Sequence, residues 1–201
     1  MTWIKTIAYE DADGSLLRLY DRIKGPGDNV DNIMLAHSLR PHTMEGHMCI
    51  YKYVLHHSRN TVAKWFVEAI GIFTSVLNQC NYCIEHHFAG MTRLLNDDAR
   101  SEAIRAALES SDWADVFVAK EIAALEYVRK LTLSPAEIPE TNIQSLRKIG
   151  WEDGEILEIN QAAAYFSYAN RTVLGLGINT EGDVLGLSPG NSAEPKNWQH
   201  R

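Results

Sequence analysis

Glu68-Ala-Ile-Gly-Ile-Phe-Thr-Ser-Val-Leu-Asn-Gln-Cys80-Asn-Tyr-Cys83-Ile-Glu-His-His87 is the stretch that decides how this chain folds. On its N-terminal side Val62, Phe66, Ala69, Phe73 and Val76 recur at i, i+3/i+4 spacing, which predicts one apolar helical face. After Cys80 the same spacing returns as Cys80, Cys83, His87, Met91 and Leu94. A single straight helix would hold Glu68 and His87 about 28 Å apart, at ~1.5 Å per residue. Asn78 and Asn81 are turn and cap formers that sit poorly inside helices. A reversal near Asn78 therefore predicts two antiparallel helices, with Glu68 and His87 level with each other. Cys83 is then one turn from both Cys80 and His87.

The residue types in that pattern suit thiol chemistry. The nucleophile is the thiolate, and an ordinary cysteine with a pKa of ~8.5 is mostly protonated near neutrality. The N-terminus of a helix offers unpaired N–H groups and partial positive charge, which favour the anion. His87 is placed to take the thiol proton, and Glu68 to orient the ring and stabilise its cation. A thiolate that attacks a peroxide O–O bond becomes a sulfenic acid, which a second thiol one turn away converts to a disulfide.

Glu68, eleven residues, Cys80-x-x-Cys83, three residues, His87 resembles the active-site motif of the alkylhydroperoxidase D-like proteins, part of the carboxymuconolactone decarboxylase superfamily. The flanks resemble its longer peroxidase-related branch: Asp31-Asn-Ile-Met-Leu-Ala-His-Ser-Leu upstream, and Ala164-Tyr-Phe-Ser-Tyr-Ala-Asn-Arg-Thr-Val-Leu-Gly-Leu-Gly downstream. The resemblance covers about residues 12–178. It implies an all-α helical bundle, a homo-oligomer (dimer, trimer or hexamer), and peroxide reduction with Cys83 attacking and Cys80 resolving. One departure is Tyr82, where some peroxidases of that family carry a second histidine. The reductant expected is a dithiol, on a lipoyl-bearing or thioredoxin-like protein, working through a mixed disulfide. Organic hydroperoxides are the expected substrates.

Other readings attach to the same residues. A C-x-x-C is often half of a zinc site, but structural zinc wants four ligands and no second C-x-x-C is present. Cys49, His86 and His87 could complete a set on paper, yet adjacent helical histidines point about 100° apart. On that ground His86 falls outside the expected site. A lactone-acid decarboxylase or isomerase of the same superfamily would use His87 and Glu68 for acid–base work and would not need a dithiol. A non-enzymatic metal-binding or redox-sensing module is the third reading. No haem, flavin or nucleotide motif appears, so no cofactor is expected.

Composition narrows the classes. The chain has 201 residues, 45% of them apolar, which is enough for one sizeable domain. The net charge of −7, without a run of Lys or Arg, argues against nucleic acid and acidic membrane surfaces as partners. The start lacks the apolar core of a secretory signal, and no apolar run approaches a membrane span. Three cysteines do not make a secreted disulfide framework, so a reducing cytoplasm is expected.

Along the chain, residues 1–10 read as an extended arm. Asp11 or Asp13 caps a helix through Ile23, and Asp31 caps the next. Pro41 opens one that runs to His56-His57. Asn96-Asp97 caps a helix before the Ser110-Ser-Asp112 break, and another starts near Val116. Thr141 caps a short helix ending at Gly150. Glu152 to Leu174 is the longest helical pattern, with Gly175 ending the helices. Residues 176–201 read as a non-helical, surface-lying tail, and the whole as a single domain.

Overall fold

The computed structural model describes residues 2–190 and 198–201. Among these, nine α-helices follow one another: α1 (Gly14–Ile23), α2 (Asn32–Leu35), α3 (Pro41–Leu55), α4 (Lys64–Leu77), α5 (Asn81–Leu95), α6 (Asp98–Ser110), α7 (Ala119–Leu133), α8 (Glu140–Lys148) and α9 (Asp153–Leu176). The fold is all-α. The one β feature among the described residues is an isolated antiparallel bridge between Pro189 and His200. Among the described residues no helix is long and apolar enough to cross a membrane.

α4 is the centre. Phe66 through Ser75 are all buried, as an apolar helix surrounded by others must be. It packs against α5, α6, α7 and α9. Each large apolar side chain taken from water there contributes about 1.5–3 kcal/mol before entropy is counted. The crossing with α9 is close because position 71 is glycine: a Cβ there would fall 2.2 Å from the Phe166 ring. The loop entering α4 is fixed by the Glu158 carboxylate of α9, which accepts from the backbone N–H groups of Thr61 and Val62 at 2.8–3.0 Å. α5 is held to α6 by Arg105, which donates to both Glu85 carboxylate oxygens at 2.6 and 3.2 Å.

Several boundaries differ from those expected. Asp97 caps α6, its Oδ1 accepting from Arg100 N at 3.0 Å, while Asn96 is the left-handed residue that ends α5. α7 begins at Ala119 rather than near Val116, because Val116 and Phe117 are tied back to the Trp113 carbonyl in a turn. α8 is preceded by Pro139 instead of being capped by Thr141, which is helical. α9 runs two residues past Leu174 and ends on Gly177, not Gly175. Gly177 is left-handed (φ 61°), and Trp3 of the arm lies where a Cβ would stand.

The tail also departs from expectation. Leu176 is helical, and the chain beyond it does not simply lie on the surface: Ile178, Trp198 and His200 are buried. His200 N and Nδ1 both meet the Ile23 carbonyl, at 3.3 and 2.7 Å, and Arg93 of α5 donates to the carbonyls of Gly186 and Arg201. The tail thereby runs along α5, from Tyr82 and His86, which meet Asp183, to Arg93. Residues 191–197, also assigned to the tail from the sequence, lie outside the described residues.

Candidate active site

The reversal between α4 and α5 is a Schellman closure. Cys80 N donates to the Ser75 carbonyl at 2.8 Å and Gln79 N to the Val76 carbonyl at 3.0 Å. Gln79, not either asparagine, takes the left-handed conformation (φ 59°). A residue with a Cβ holds that conformation at a cost of roughly 1–2 kcal/mol, which the two bonds offset. Asn78 is the C-cap of α4 and Asn81 the first residue of α5. Cys80 is thus at once the last residue of one closure and the N-cap of the next helix. Cys83 follows one turn in, so both sulfurs stand where α5 has its unpaired N–H groups.

Both cysteines are free thiols, and both are buried. Interaction with the Cys83 thiol lowers the pKa of Cys80 to about 7, against the opposing effect of burial. Smaller help comes from the Cys83 backbone N–H and the Asn170 side chain. The same sulfur–sulfur interaction, together with burial, pushes Cys83 well above the ordinary thiol value. The pair therefore gives up one proton easily and the second with difficulty. Asn170 of α9 is fully buried. Its Oδ1 accepts from Asn78 Nδ2 at 3.0 Å and its Nδ2 donates to Ser75 Oγ at 2.9 Å, which ties it to the turn.

Glu68 and His87 meet. His87 Nδ1 donates to Glu68 Oε2 at 2.6 Å, and both side chains are largely enclosed. Phe166 packs on the His87 imidazole at 4.5 Å between centroids, with the rings nearly perpendicular. Cys83, Glu68 and His87 line one cavity of about 40 Å³, room for a few water-sized groups. Cys80 is not in that lining; it is fully buried behind. A wider hollow of about 310 Å³ adjoins it, sharing Glu68, Gly90, Gly186 and Ser188 and bordered by Lys64, Arg93 and Arg201.

The small cavity is also lined by groups that spacing did not reveal. His86, expected to face elsewhere, lines the same cavity, because the tail supplies a second wall for it to meet. Its Nε2 donates to Asp183 Oδ2 at 3.1 Å. Tyr82 OH donates to the same oxygen at 2.7 Å and accepts from Ile33 N at 3.2 Å. Asn32 N donates to both oxygens of Asp183, at 3.0 and 3.2 Å. Asp31 and His200 complete the wall. Burial raises the Asp31 carboxyl, with the nearby imidazoles of His200 and His86 opposing. Burial lowers the His200 imidazole, opposed by Asp31. Asp183 and His200 carry no local sequence signal, since what places them is the path of the tail.

Cys49, considered with His86 and His87 as a possible ligand, is partly buried on α3 and lines neither hollow. Among the described residues no group of three or more His, Cys, Asp or Glu side chains is arranged to hold a metal ion.

No protein-family model and no curated protein matches the sequence. Solved structures do match. An uncharacterized peroxidase-related protein from Ralstonia eutropha JMP134, described as an alkylhydroperoxidase AhpD core, superposes with a TM-score of 0.73 at 19% identity, over 89% of this chain and 92% of that one. A peroxidase-related protein from Silicibacter sp. TM1040 gives 0.67 at 22% identity, over 77% and 80%. A cysteine-to-alanine variant of the debrominase Bmp8, in complex with 2,3,4-tribromopyrrole, gives 0.71 at 18% identity, over 90% and 93%. The chain has the alkylhydroperoxidase D-like fold.

Proposed function

We propose that this chain is a member of the carboxymuconolactone decarboxylase superfamily that reduces hydroperoxides through Cys83 and Cys80, with His87 and Glu68 moving the protons. The observation that carries the reading is that Cys83 and the hydrogen-bonded His87–Glu68 pair line one small cavity while Cys80 stands behind, one turn away. In the proposed cycle His87 takes the Cys83 proton, and Glu68 stabilises the imidazolium through the Nδ1–H bond, which offsets the preference of the resting pair for the Cys80 thiolate. The Cys83 thiolate attacks the terminal peroxide oxygen, giving the sulfenic acid and an alcohol. The Cys80 thiol then displaces water and closes the disulfide. A dithiol reductant restores the pair by exchange. The inner cavity takes the O–OH head of the substrate, and the adjoining hollow leaves space for its organic group.

The test is peroxide consumption by the reduced protein with a dithiol donor, with thiols counted and the disulfide mapped before and after one equivalent of peroxide. The expected result is loss of two thiols, a Cys80–Cys83 bond, and activity abolished in Cys83→Ser. Unchanged activity in that variant would end the proposal. Release of bromide from a brominated pyrrole, with no oxidation by peroxide, would point to dehalogenation instead.

A further inference from the structure

Cleaving a hydroperoxide makes two proton demands at different places. One proton must leave sulfur before attack, and one must reach the departing alkoxide as the O–O bond breaks. Glu68 and His87 answer the first. They stand on the wall of the cavity made by α4 and α5, and His87 Nδ1 is committed to the carboxylate. The preceding residue of α5 is a second imidazole, held on a second carboxylate that the tail supplies. His86 Nε2 is committed to Asp183, and its Nδ1 has no hydrogen-bond partner among the described residues, though the side chain borders the cavity.

We propose that His86, held through Nε2 by Asp183, is the acid that protonates the departing alkoxide from Nδ1; the inference rests on the peroxidase reading above. Written out, the Cys83 thiolate attacks the terminal oxygen of R–O–OH. The S–O bond forms, the O–O bond breaks, and its electron pair leaves on RO. Sulfur is oxidised by two electrons and the peroxide reduced by two. The proton passes from His86 Nδ1 to RO, giving ROH and a neutral ring that keeps its N–H on Asp183. His86 is the catalytic residue here. Asp183 is a positioning residue: it accepts from Tyr82 OH, Asn32 N and His86 at once, and its side chain is 2% exposed. Such a carboxylate is fixed in place, and it fixes the ring. The tail thus supplies part of the chemistry as well as covering it.

The experiment compares two oxidants in single-turnover oxidation of Cys83 in the full chain. Tert-butyl hydroperoxide expels a poor leaving group that needs a proton; peracetic acid expels acetate, which does not. In His86→Gln the ratio of the first rate to the second should fall about 10²-fold, the usual worth of a positioned acid. In Asp183→Asn, which keeps an acceptor for Asn32 and Tyr82, it should fall about 10-fold. The peracetic acid rate controls for damage to the fold or to the thiolate. A ratio unmoved in His86→Gln, or equal losses with both oxidants, would overturn the assignment while leaving the peroxidase reading intact. Wild-type protein in which neither oxidant reacts at Cys83 would remove both.

Discussion

Glu68 Oε2 and His87 Nδ1 stand 2.6 Å apart although nineteen positions separate them in the chain. That length belongs to a charge-assisted bond, and it holds the ring in one tautomer with Nε2 left over. His87→Gln is expected to slow peroxide turnover by about 10²-fold, and Glu68→Gln by about 10-fold, since the amide still orients the ring but does not stabilise its cation. Thiol alkylation followed against pH gives the independent measurement. Rates and profiles unchanged in both variants would remove the pair from the relay.

Cys80 is acidic because its neighbour is a thiol, and that dependence is testable. With the partner sulfur present, alkylation of the reduced protein should rise through about pH 7. In Cys83→Ser the sulfur–sulfur interaction is gone while burial remains, so the Cys80 midpoint should move up to ~8.5 or beyond. Less thiolate is then present at pH 7. A midpoint that stays near 7 would show that the helix end alone sets it.

Asn170 joins the turn to the sulfurs. Its side chain favours the thiolate form at both cysteines while bonding Asn78 and Ser75. Asn170→Ala should raise the Cys80 midpoint and leave buried polar partners unmet, a loss of about 1–3 kcal/mol measured by urea unfolding. Asn170→Asp keeps the acceptor for Asn78 but loses the donor to Ser75 Oγ, whose own proton goes to the Gly71 carbonyl, and it adds negative charge beside the sulfurs. It should therefore raise the midpoint further than alanine does and cost at least as much stability, since the charge is fully buried. The reverse order would show that Asn170 serves packing only.

How much of this could be read beforehand follows from the range of each interaction. The reversal before Cys80, and with it the meeting of Glu68 and His87, was legible because the 3.6-residue period on both sides and one straight-helix length leave few alternatives. The residue that turns the chain was not. Left-handed positions favour Gly and Asn, and Gln79 sits in one only because the Ser75 and Val76 carbonyls hold it there. The second wall of the cavity was further out of reach. Asp183 lies in a run with glycines on either side and looks like loop. Its role depends on contacts with Asn32, 151 positions away, and Tyr82, 101 away. His86 was misplaced for the same reason: helical geometry gives its direction but not what the tail brings to meet it.

Gly71 should tolerate no side chain. A Cβ at that position would lie 2.2–2.7 Å from three atoms of the Phe166 ring, which itself braces His87. Gly71→Ala is expected to cost about 1–3 kcal/mol through overpacking and to lower turnover by tilting the imidazole. Phe166→Leu added to Gly71→Ala should recover part of the stability, and the double-mutant cycle reads the coupling. Additive losses would mean that the two helices separate instead of the ring moving.

Acid should unfold the chain through histidines away from the sulfurs. Burial holds His47 down to about 3 and His56 well below its usual value, and both are 5% exposed or less. Their unfolded value is ~6.5, so the unfolded chain binds protons there that the folded chain refuses. The stability they contribute is present above pH 6.5 and is lost as pH falls toward the folded values. His47 alone loses about 1.4 kcal/mol per pH unit below that point, roughly 2.5 kcal/mol between pH 6 and 4, and His56 acts in the same direction. That is a large fraction of the whole stability of many domains. Urea unfolding at a series of pH values checks it, and His47→Gln isolates one residue from the carboxylates that titrate in the same range. The expected result is a shallower fall in the variant, by about 1.4 kcal/mol per unit; parallel curves would mean that His47 takes up its proton without the fold opening.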